Sequence, residues 1–269
     1  MEIEIDYTKS AHENAGDYYN KAKKLAQKAL GAAKAAEELE KELAKAEQNA
    51  VVDERRKVTM AKREWYEKFH WMRTSSNMLV IGGRDAHQNE LVNSRHFDEN
   101  DLFFHADIFG AGVFVLKEGA KADADARAEA AHFAACYSSA WKEGLRSIDV
   151  YAMRREQVSK STQKGSLGTG SFMLKGEREW YRNVPLALVF FARDGAQNVA
   201  PKLTFERLGA GPGTAHVEVT QGNDKKSDAA KKIAKALGCE DLDRIMMELP
   251  AGSFHVLVRR DDHQSAIGP

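Results

Sequence analysis

Residues 10–50 carry a heptad-like repeat, which restricts the N-terminal part of the chain to a long helix. Apolar or small side chains recur at alternating steps of four and three positions: Tyr18, Ala22, Leu25, Ala29, Ala32, Ala36, Leu39, Leu43, Ala46 and Ala50. This spacing places them along one stripe of an α-helix, and glutamate and lysine fill the flanking positions. Because most of the stripe is alanine, a partner helix can approach it closely.

A second helix is predicted over residues 53–73. Val51 and Val52 interrupt the heptad pattern, and Asp53 is suited to cap a new helix. Its apolar positions share one face: Val58, Ala61, Trp65, Phe69 and Met72. Residues 1–73 are therefore expected to form an antiparallel helical hairpin, with arms of roughly 60 Å and 30 Å. The surplus length of the first arm requires another surface, either the compact part of the chain or an intermolecular coiled coil.

From Asn77 the periodicity changes, and the pattern predicts an α+β domain with a mixed or antiparallel sheet over residues 74–193. The predicted strands are MLVIGG, DLFFHAD, AGVFVLK, Ser147–Arg154, Ser171–Leu174 and Leu186–Ala192, and the predicted helices are DAHQNELVNSRHF and Asp123–Leu145. A glycine- and proline-rich stretch after Arg193 is typical of a linker. Residues 194–269 are expected to add this linker and a small β-α-α-β appendage.

The composition excludes several classes of protein. Lysine and arginine balance aspartate and glutamate, 40 against 40, so no global basic field indicates a nucleic-acid partner. Two separated cysteines suggest neither a disulfide framework nor a zinc site. No signal peptide or long apolar run is visible, so a cytoplasmic protein without membrane contact is expected. No metal or cofactor is predicted.

The Gly82-Gly83-Arg84-Asp85 segment lies between a predicted strand and a predicted helix that contains Gln88 and Asn89. Glycines permit close backbone approach, and the helix N-terminus offers free N–H groups to an anion. Arg84 is suited to bind phosphate, while the two amides are suited to read base edges or a ribose. The competing interpretation is a helix cap at Asp85, with surface side chains around it.

His105 and Asp107 stand two residues apart at the end of an apolar strand, so strand alternation places them on one face. They are suited to bind RNA, to hold a metal or to act as an acid–base pair. A structural His–Asp hydrogen bond is the simpler alternative.

The segment from Arg154 to Arg182 carries a local excess of positive charge and is a candidate phosphate-binding groove. It contains the glycine-rich loop Lys164–Ser171, which does not match the phosphate-binding loop of nucleoside triphosphatases. Its candidate contacts are Arg154, Lys160, Lys164, Ser166, Thr169, Ser171 and Lys175. A glycine-rich hairpin without a ligand remains the alternative.

The segments EKFHW, IGGRDAHQNE, FHAD, QVSK and TGSFM occur in this order. With them, residues from about Asp6 to Phe191 closely resemble the NFACT-R domain and its preceding coiled coil. That domain occurs in the ribosome quality-control family of NEMF, bacterial RqcH and archaeal proteins once called fibronectin-binding. The tail resembles the archaeal members more loosely.

The resemblance implies an RNA-binding, ribosome-associated module. Its implied partners are tRNA and the ribosomal RNA of large subunits that carry an obstructed peptidyl-tRNA. Nothing in the sequence matches the NFACT-N domain of full-length members. The chain is therefore expected to be a fragment or a shortened member, and tailing activity is not expected of it.

Two other function classes stay open beside this non-enzymatic interpretation. The first is a metal-dependent nuclease that uses Asp85, Asp107, Glu156 and Lys160, although the spacing of Glu156 and Lys160 argues against a shared strand face. The second is a scaffold whose helical hairpin recruits a protein partner. Phosphate contacts carry little sequence information, so binding of DNA by the same groove also stays open.

Overall fold

The heptad-like repeat folds as one helix, α1 (Ala11–Thr59), within an N-terminal unit, Met1–Glu64. The computed structural model describes residues 3–59, 64–162, 165–193, 196–209, 215–239 and 241–259. Ser10 caps α1, because its hydroxyl accepts a hydrogen bond from the Glu13 N–H at 3.3 Å. The Glu13 carboxylate accepts in return from the Ser10 N–H at 2.7 Å, which completes a capping box. The helix predicted over residues 10–50 is confirmed.

The second helix predicted over residues 53–73, and with it the hairpin, is wrong over the described residues. Val51 and Val52 do not interrupt α1, because a β-branched residue lowers helix propensity by less than about 1 kcal/mol. Residues 60–63 lie outside the described residues. His70–Arg73 then forms a strand, in which Met72 is buried. Sheet burial thus overrides the helical spacing of these apolar residues.

The C-terminal unit, Trp65–Pro269, contains the other strands and helices of the described residues. The strands are β1 (His70–Arg73), β2 (Leu79–Gly82), β3 (Leu102–Ala106), β4 (Phe114–Leu116), β5 (Ser147–Arg154), β6 (Val158–Ser159), β7 (Ser161–Thr162), β8 (Gly165–Ser166), β9 (Met173–Leu174), β10 (Glu179–Pro185), β11 (Ala187–Arg193), β12 (Ala196–Pro201), β13 (His216–Asp224) and β14 (Phe254–Arg259). The helices are α2 (Ala86–Arg95), α3 (Ala124–Cys136), α4 (Lys202–Leu208), α5 (Lys226–Leu237) and α6 (Leu242–Glu248). The predicted α+β class is confirmed.

Six of these strands form an antiparallel sheet in the order β1-β2-β4-β3-β5-β10. Strand alternation gives this sheet two apolar faces. One face packs on α3, in a core that includes Phe104, Phe114, Leu116, Phe133 and Val150. The opposite face carries a second buried cluster that includes Ile81, Val92 of α2, Phe103, Val115, Tyr151 and Met153.

The helix predicted over Asp123–Leu145 ends early, at Cys136. Ser138 starts a separate 3-10 turn, Ser139–Trp141, by accepting from the Ala140 N–H at 3.3 Å. The Trp141 indole N–H donates to the Cys136 carbonyl at 2.5 Å, and the indole is fully buried. Burial of this ring therefore favours the break in the helix.

The stretch predicted as a linker after Arg193 contains β12 and α4. β12 belongs to a second antiparallel sheet of order β12-β11-β13-β14, whose strand β11 precedes the predicted boundary. The boundary between residues 193 and 194 therefore falls inside a sheet. The predicted β-α-α-β appendage is present as β13, α5, α6 and β14, and α5 and α6 share a buried core with this sheet.

Candidate nucleic-acid interface

The glycine turn between β2 and α2 is held together by its own polar side chains. Asp85 caps α2 and accepts from the Gln88 N–H at 2.8 Å. The Gln88 side-chain oxygen accepts from the Arg84 N–H at 3.1 Å, and its amide donates to the Lys68 carbonyl at 3.3 Å. The Arg84 guanidinium donates to the Phe69 carbonyl at 3.0 Å. Asp85 and Gln88 therefore have structural partners, whereas exposed Arg84 pairs with no carboxylate among the described residues.

Asn89, which the sequence predicts to read a base edge, is buried in this structure. Its side-chain oxygen accepts from the Val113 N–H at 3.0 Å, which links α2 to the start of β4. A methyl group at Gly83 would lie 2.5 Å from the Asn89 backbone nitrogen. The glycine at position 83 therefore allows this close approach, and the Asn89 side chain satisfies a buried backbone donor.

His105 is half-buried, and the side chain that shares a hydrogen bond with it is Tyr151 rather than Asp107. The Tyr151 hydroxyl lies 3.2 Å from His105 Nδ1. Burial lowers the pKa of the His105 imidazole, and hydrogen bonds to the backbone of Ala106 and Ala111 oppose this only in part. Asp107 is exposed, and no hydrogen bond joins it to His105 among the described contacts. The imidazole is therefore neutral at pH 7 and faces an aromatic neighbour.

Lys160 fastens the glycine-rich loop to α2. Its ammonium group forms an ion pair with Glu90 and donates to the carbonyls of Gly168 at 2.8 Å and Ser171 at 3.4 Å. Glu90 also accepts from the Gly170 N–H at 3.2 Å. Because an ammonium group has three N–H donors, these three partners occupy all of them. In this conformation the protein's own acceptors therefore hold the ammonium group that the sequence predicts as a phosphate contact.

The other residues of the predicted groove lie on exposed backbone around this fastened loop. Arg154 ends β5, Thr169 and Ser171 stand in the loop, and Lys175 follows β9; all four are exposed. Lys164 lies outside the described residues, and Ser166 is described only through its strand, β8. This surface therefore has exposed basic side chains, but Lys160 does not form the centre of a phosphate-binding loop.

An aromatic row crosses three neighbouring strands beside this surface. His105 of β3 is in register with Tyr151 of β5, and Tyr151 is in register with Trp180 of β10. The His105 and Tyr151 ring centroids lie 5.6 Å apart, and those of Tyr151 and Trp180 lie 5.3 Å apart. We call His105, Tyr151 and Trp180 the aromatic row.

Two arginines of the same sheet edge lie over the aromatic row. The Arg178 guanidinium lies 4.4 Å from the Tyr151 ring centroid, and the Arg182 guanidinium lies 4.0 Å from that of Trp180. Arg182 also pairs with Asp149 at 2.6 Å, whereas exposed Arg178 has no carboxylate partner among the described residues. Burial raises the pKa of the Tyr151 hydroxyl, and the positive charge of Arg178 opposes that shift. Aromatic faces beside guanidinium groups suit bases and phosphates together.

Comparison with known proteins places part of this unit in a described family. Residues 68–176 match the family described as the NFACT protein RNA binding domain. The chain carries an NFACT-R domain of the RqcH and NEMF family. The archaeal Rqc2 homolog aRqcH of Methanocaldococcus jannaschii is 36% identical over 204 residues, which cover 72% of this chain and 30% of that protein.

Human ribosome quality control complex subunit NEMF is 34% identical over 176 residues, which cover 63% of this chain and 16% of NEMF. The chain thus spans less than a third of the length of these curated relatives. Among solved structures, the C-terminal part of the fibronectin/fibrinogen-binding protein of Streptococcus suis matches 47% of each chain, with 20% identity and a TM-score of 0.38. That similarity is too low to support a fold assignment.

Sequence reasoning missed most of the aromatic row, because β10 was not recognised as a strand. The run Arg178-Glu-Trp180-Tyr-Arg182 alternates, so its first, third and fifth side chains share one face of a strand. This alternation is the local signal for the two arginines and the tryptophan. The neighbour Tyr151 is distant in sequence, and only the strand pairing brings it to Trp180.

The structure does not assemble the predicted nuclease site. Asp85 caps α2, Asp107 follows β3, Glu156 lies in the 3-10 turn after β5, and Lys160 is paired with Glu90. Over the part of the chain that is described, no three histidine, cysteine or acidic side chains are placed to hold a metal ion. Within the same residues, no helix has the length and apolar character needed to cross a membrane.

Proposed function

We propose that the C-terminal unit binds RNA through the aromatic row and the two arginines over it. The observation that carries the proposal is the position of Arg178, an exposed guanidinium held over aromatic rings without an acidic partner in the described residues. Stacking of one base on an aromatic side chain contributes about 1–3 kcal/mol. The phosphates of RNA supply a negatively charged partner for the Arg178 guanidinium. Unstacked, single-stranded RNA is the form that suits such a surface.

The names of the relatives support a role in ribosome quality control. We infer that the chain acts as a ribosome-associated binding module in the cytoplasm and has no catalytic activity of its own. Its partners would be tRNA and the ribosomal RNA of stalled large subunits that carry peptidyl-tRNA. Since the chain spans less than a third of these relatives, this finer function rests on their names and on the chemistry of the aromatic row.

The test is the affinity of the whole chain for labelled single-stranded RNA, tRNA, a ribosomal RNA fragment and duplex DNA across a salt titration. Trp180→Ala is expected to weaken RNA binding about 5- to 150-fold, through the loss of one stacking partner. Arg178→Gln is expected to weaken binding and to lower its dependence on salt. Lys235→Ala is the control, because it removes an exposed cation from α5. Unchanged affinity in both variants would overturn the proposal.

A second candidate function, recruitment of a protein partner, is supported by α1. Three apolar positions of its heptad stripe, Tyr18, Leu25 and Leu39, are 43%, 59% and 61% exposed. Such a stripe is stabilised by a partner helix of matching repeat. Leu25→Glu is expected to abolish self-association or capture of a coiled-coil partner, while RNA affinity stays unchanged. A Leu25→Glu variant that associates as the natural chain does would remove this candidate.

A further inference from the structure

A cleft of about 500 Å³ separates the edge strands of the two sheets of the C-terminal unit. β1 is the outer strand of the six-stranded sheet, and β12 is the outer strand of the four-stranded sheet. Both strands line the cleft, as does α6. The volume falls within the range of small-molecule sites, and edge strands offer backbone groups that no neighbouring strand pairs. None of the aromatic row lines this cleft.

The cleft has a strong excess of positive charge. Its charged lining residues are four arginines and one glutamate: Arg73, Arg84, Arg193, Arg244 and Glu248. Arg73 and Arg84 donate to the backbone carbonyls of Asn77 at 3.1 Å and Phe69 at 3.0 Å, so their charges are not neutralised by these contacts.

The neighbouring titratable groups respond to the same charge. Burial lowers the pKa of His70 to about 3, and the positive charges of Arg84 and Lys226 lower it further. Burial likewise lowers the pKa of Lys226, with a further contribution from Arg84. Both shifts have the direction expected of cationic groups that are buried beside another positive charge.

A larger cavity along the four-stranded sheet differs in charge. It measures about 800 Å³ and is lined by three acidic side chains against two from lysine or arginine: Glu206, Glu218, Asp224, Arg146 and Lys202. Lys202 and Glu218 pair there at 2.9 Å. The larger cavity therefore lacks the excess of positive charge that the cleft between the sheet edges has.

Two of the lining residues, Gln197 and Glu248, also carry buried polar atoms without partners among the described residues. The side-chain nitrogen and oxygen of Gln197 and one carboxylate oxygen of Glu248 are buried without a hydrogen-bond partner among the described residues. The other carboxylate oxygen of Glu248 lies 3.3 Å from Arg244. Buried polar groups are nearly always paired in folded proteins, so these atoms suit a ligand that brings both donors and acceptors.

Aromatic side chains complete the lining. Tyr66 and Trp71 lie with their ring centroids 4.9 Å apart, and the Arg73 guanidinium lies 5.8 Å from the Tyr66 centroid. Both rings are half-buried. A planar group that enters the cleft can therefore contact a π-face beside a positive charge.

We propose that this cleft binds one nucleotide. Arg73 and Arg84 would hold its phosphate, Gln197 and Glu248 would pair with the edge of its base, and Tyr66 with Trp71 would contact the ring. The nucleotide is either a free mononucleotide or one unstacked nucleotide of an RNA chain. The inference goes beyond the proposed function, because its residues are separate from the aromatic row.

The test is binding of AMP, GMP, CMP, UMP and inorganic phosphate to the whole chain by calorimetry, together with RNA affinity. Gln197→Leu removes the unpaired amide at similar volume and is expected to weaken binding about tenfold or more. The same change is expected to raise the Tm by about 2–4 °C, because a buried unpaired group is lost. Arg73→Ala alters an exposed residue and is expected to weaken binding without unfolding, while Lys235→Ala changes neither property.

The outcomes separate the two sources and the two proposals. Mononucleotide binding that is lost in Gln197→Leu and Arg73→Ala supports a free ligand. Loss of RNA affinity in these variants without mononucleotide binding supports a nucleotide within RNA. Absence of mononucleotide binding, with natural RNA affinity in both variants, overturns the inference and leaves the aromatic row untouched. Loss of RNA affinity in Trp180→Ala but not in Gln197→Leu supports the proposed function alone and likewise counts against an RNA nucleotide in the cleft.

Discussion

The ammonium group of Lys160 shows that a cation is available to a ligand only when its donors are free. All three of its N–H donors point to protein acceptors, namely the Glu90 carboxylate and two loop carbonyls. Arg178 is the contrasting case, because it rests on aromatic rings and has no acidic partner in the described residues. The two side chains lie in the same basic segment, yet their contacts assign them different roles.

Breaking the Lys160 ion pair is expected to loosen the glycine-rich loop. Glu90→Gln should destabilise the loop by about 1 kcal/mol, and Glu156→Gln, at a position in the 3-10 turn after β5, is the control. The measurement is the hydrogen exchange rate of the Gly170 N–H, which should rise in Glu90→Gln. Equal exchange in the variant and the natural chain would contradict this role of Glu90.

The same contact predicts an acid-sensitive loop. The hydrogen bond from Lys160 lowers the pKa of Glu90 below its usual value near 4.5. The folded pKa lies below that of the unfolded chain, so the stabilisation is complete above about pH 4.5 and is lost as the pH falls through the folded pKa. The protection factor of the Gly170 N–H, its exchange rate relative to that of an unstructured amide at the same pH, should therefore fall below pH 4.5 in the natural chain, and Glu90→Gln should remove that fall. A protection factor in the natural chain that is constant across this range would refute the prediction.

Asn89 is expected to matter for stability and not for binding. Asn89→Ala would leave the buried Val113 N–H without an acceptor, which costs about 1–3 kcal/mol. Urea unfolding should show this loss, whereas Asn89→Asp, which keeps an acceptor oxygen, should lose less. Exposed Asn100→Ala is the control. RNA affinity should be measured at a temperature where Asn89→Ala is folded. A lower affinity of this variant there would show that Asn89 contributes to RNA binding.

At the scale of elements, the junction of β2 and α2 depends on the absence of a side chain at Gly83. A methyl group there would lie 2.5 Å from the Asn89 backbone nitrogen, which cannot move without shifting α2. Gly83→Ala is therefore expected to lower the free energy of unfolding by about 3 kcal/mol or more. Gly168→Ala is the matched control, because its methyl group would meet no atom within 4 Å. Equal unfolding midpoints for the two variants would contradict this account of the turn.

Elements with strong local patterns could be predicted from the sequence. β2, β3, β5 and α5 follow clear apolar runs or helical spacing, and Asp85 occupies the cap position that the pattern indicates. β1 could not be predicted, because Met72 shares a helical face with Phe69 in the sequence pattern. Only pairing with β2 makes His70–Arg73 a strand. β10 was missed because its charged residues mask a two-residue alternation at a sheet edge.

The candidate site could be predicted only where its residues are contiguous in sequence. The glycine turn and the loop are contiguous motifs, so their residues could be identified from sequence, although their hydrogen-bond partners could not. The aromatic row joins residues from three strands that are distant in sequence. Glu90, which forms the ion pair with Lys160, is likewise 70 residues away from it in sequence.

For the whole molecule, buried histidines predict loss of stability in mild acid. Burial lowers the pKa of His70 to about 3 and the pKa of His132 to about 4. Unfolded histidine titrates near 6.5, so the unfolded chain binds protons first as the pH falls. Stability is therefore complete above about pH 6.5 and declines toward pH 4, by up to about 1.4 kcal/mol per pH unit for each histidine.

Thermal unfolding at pH 7 and pH 5 measures this loss. The Tm of the natural chain should be lower at pH 5 than at pH 7. His70→Gln should show a smaller decrease between these two pH values, whatever its Tm at pH 7. His12→Gln, at an exposed position of α1, should fall as much as the natural chain. A pH dependence that is the same in His70→Gln and in the natural chain would contradict the buried, neutral state of His70.

The location of bound RNA tests the central claim most directly. Ultraviolet crosslinking of the whole chain to a uridine-rich single-stranded RNA, followed by mass spectrometry, identifies the side chains in contact with bases. The aromatic row predicts crosslinks at Trp180, whose ring is only half-buried, whereas Tyr151 is buried beneath it, and Trp180→Ala should abolish crosslinking on β10. Crosslinks confined to α1 or to the glycine-rich loop, with none on β5 or β10, would contradict the account.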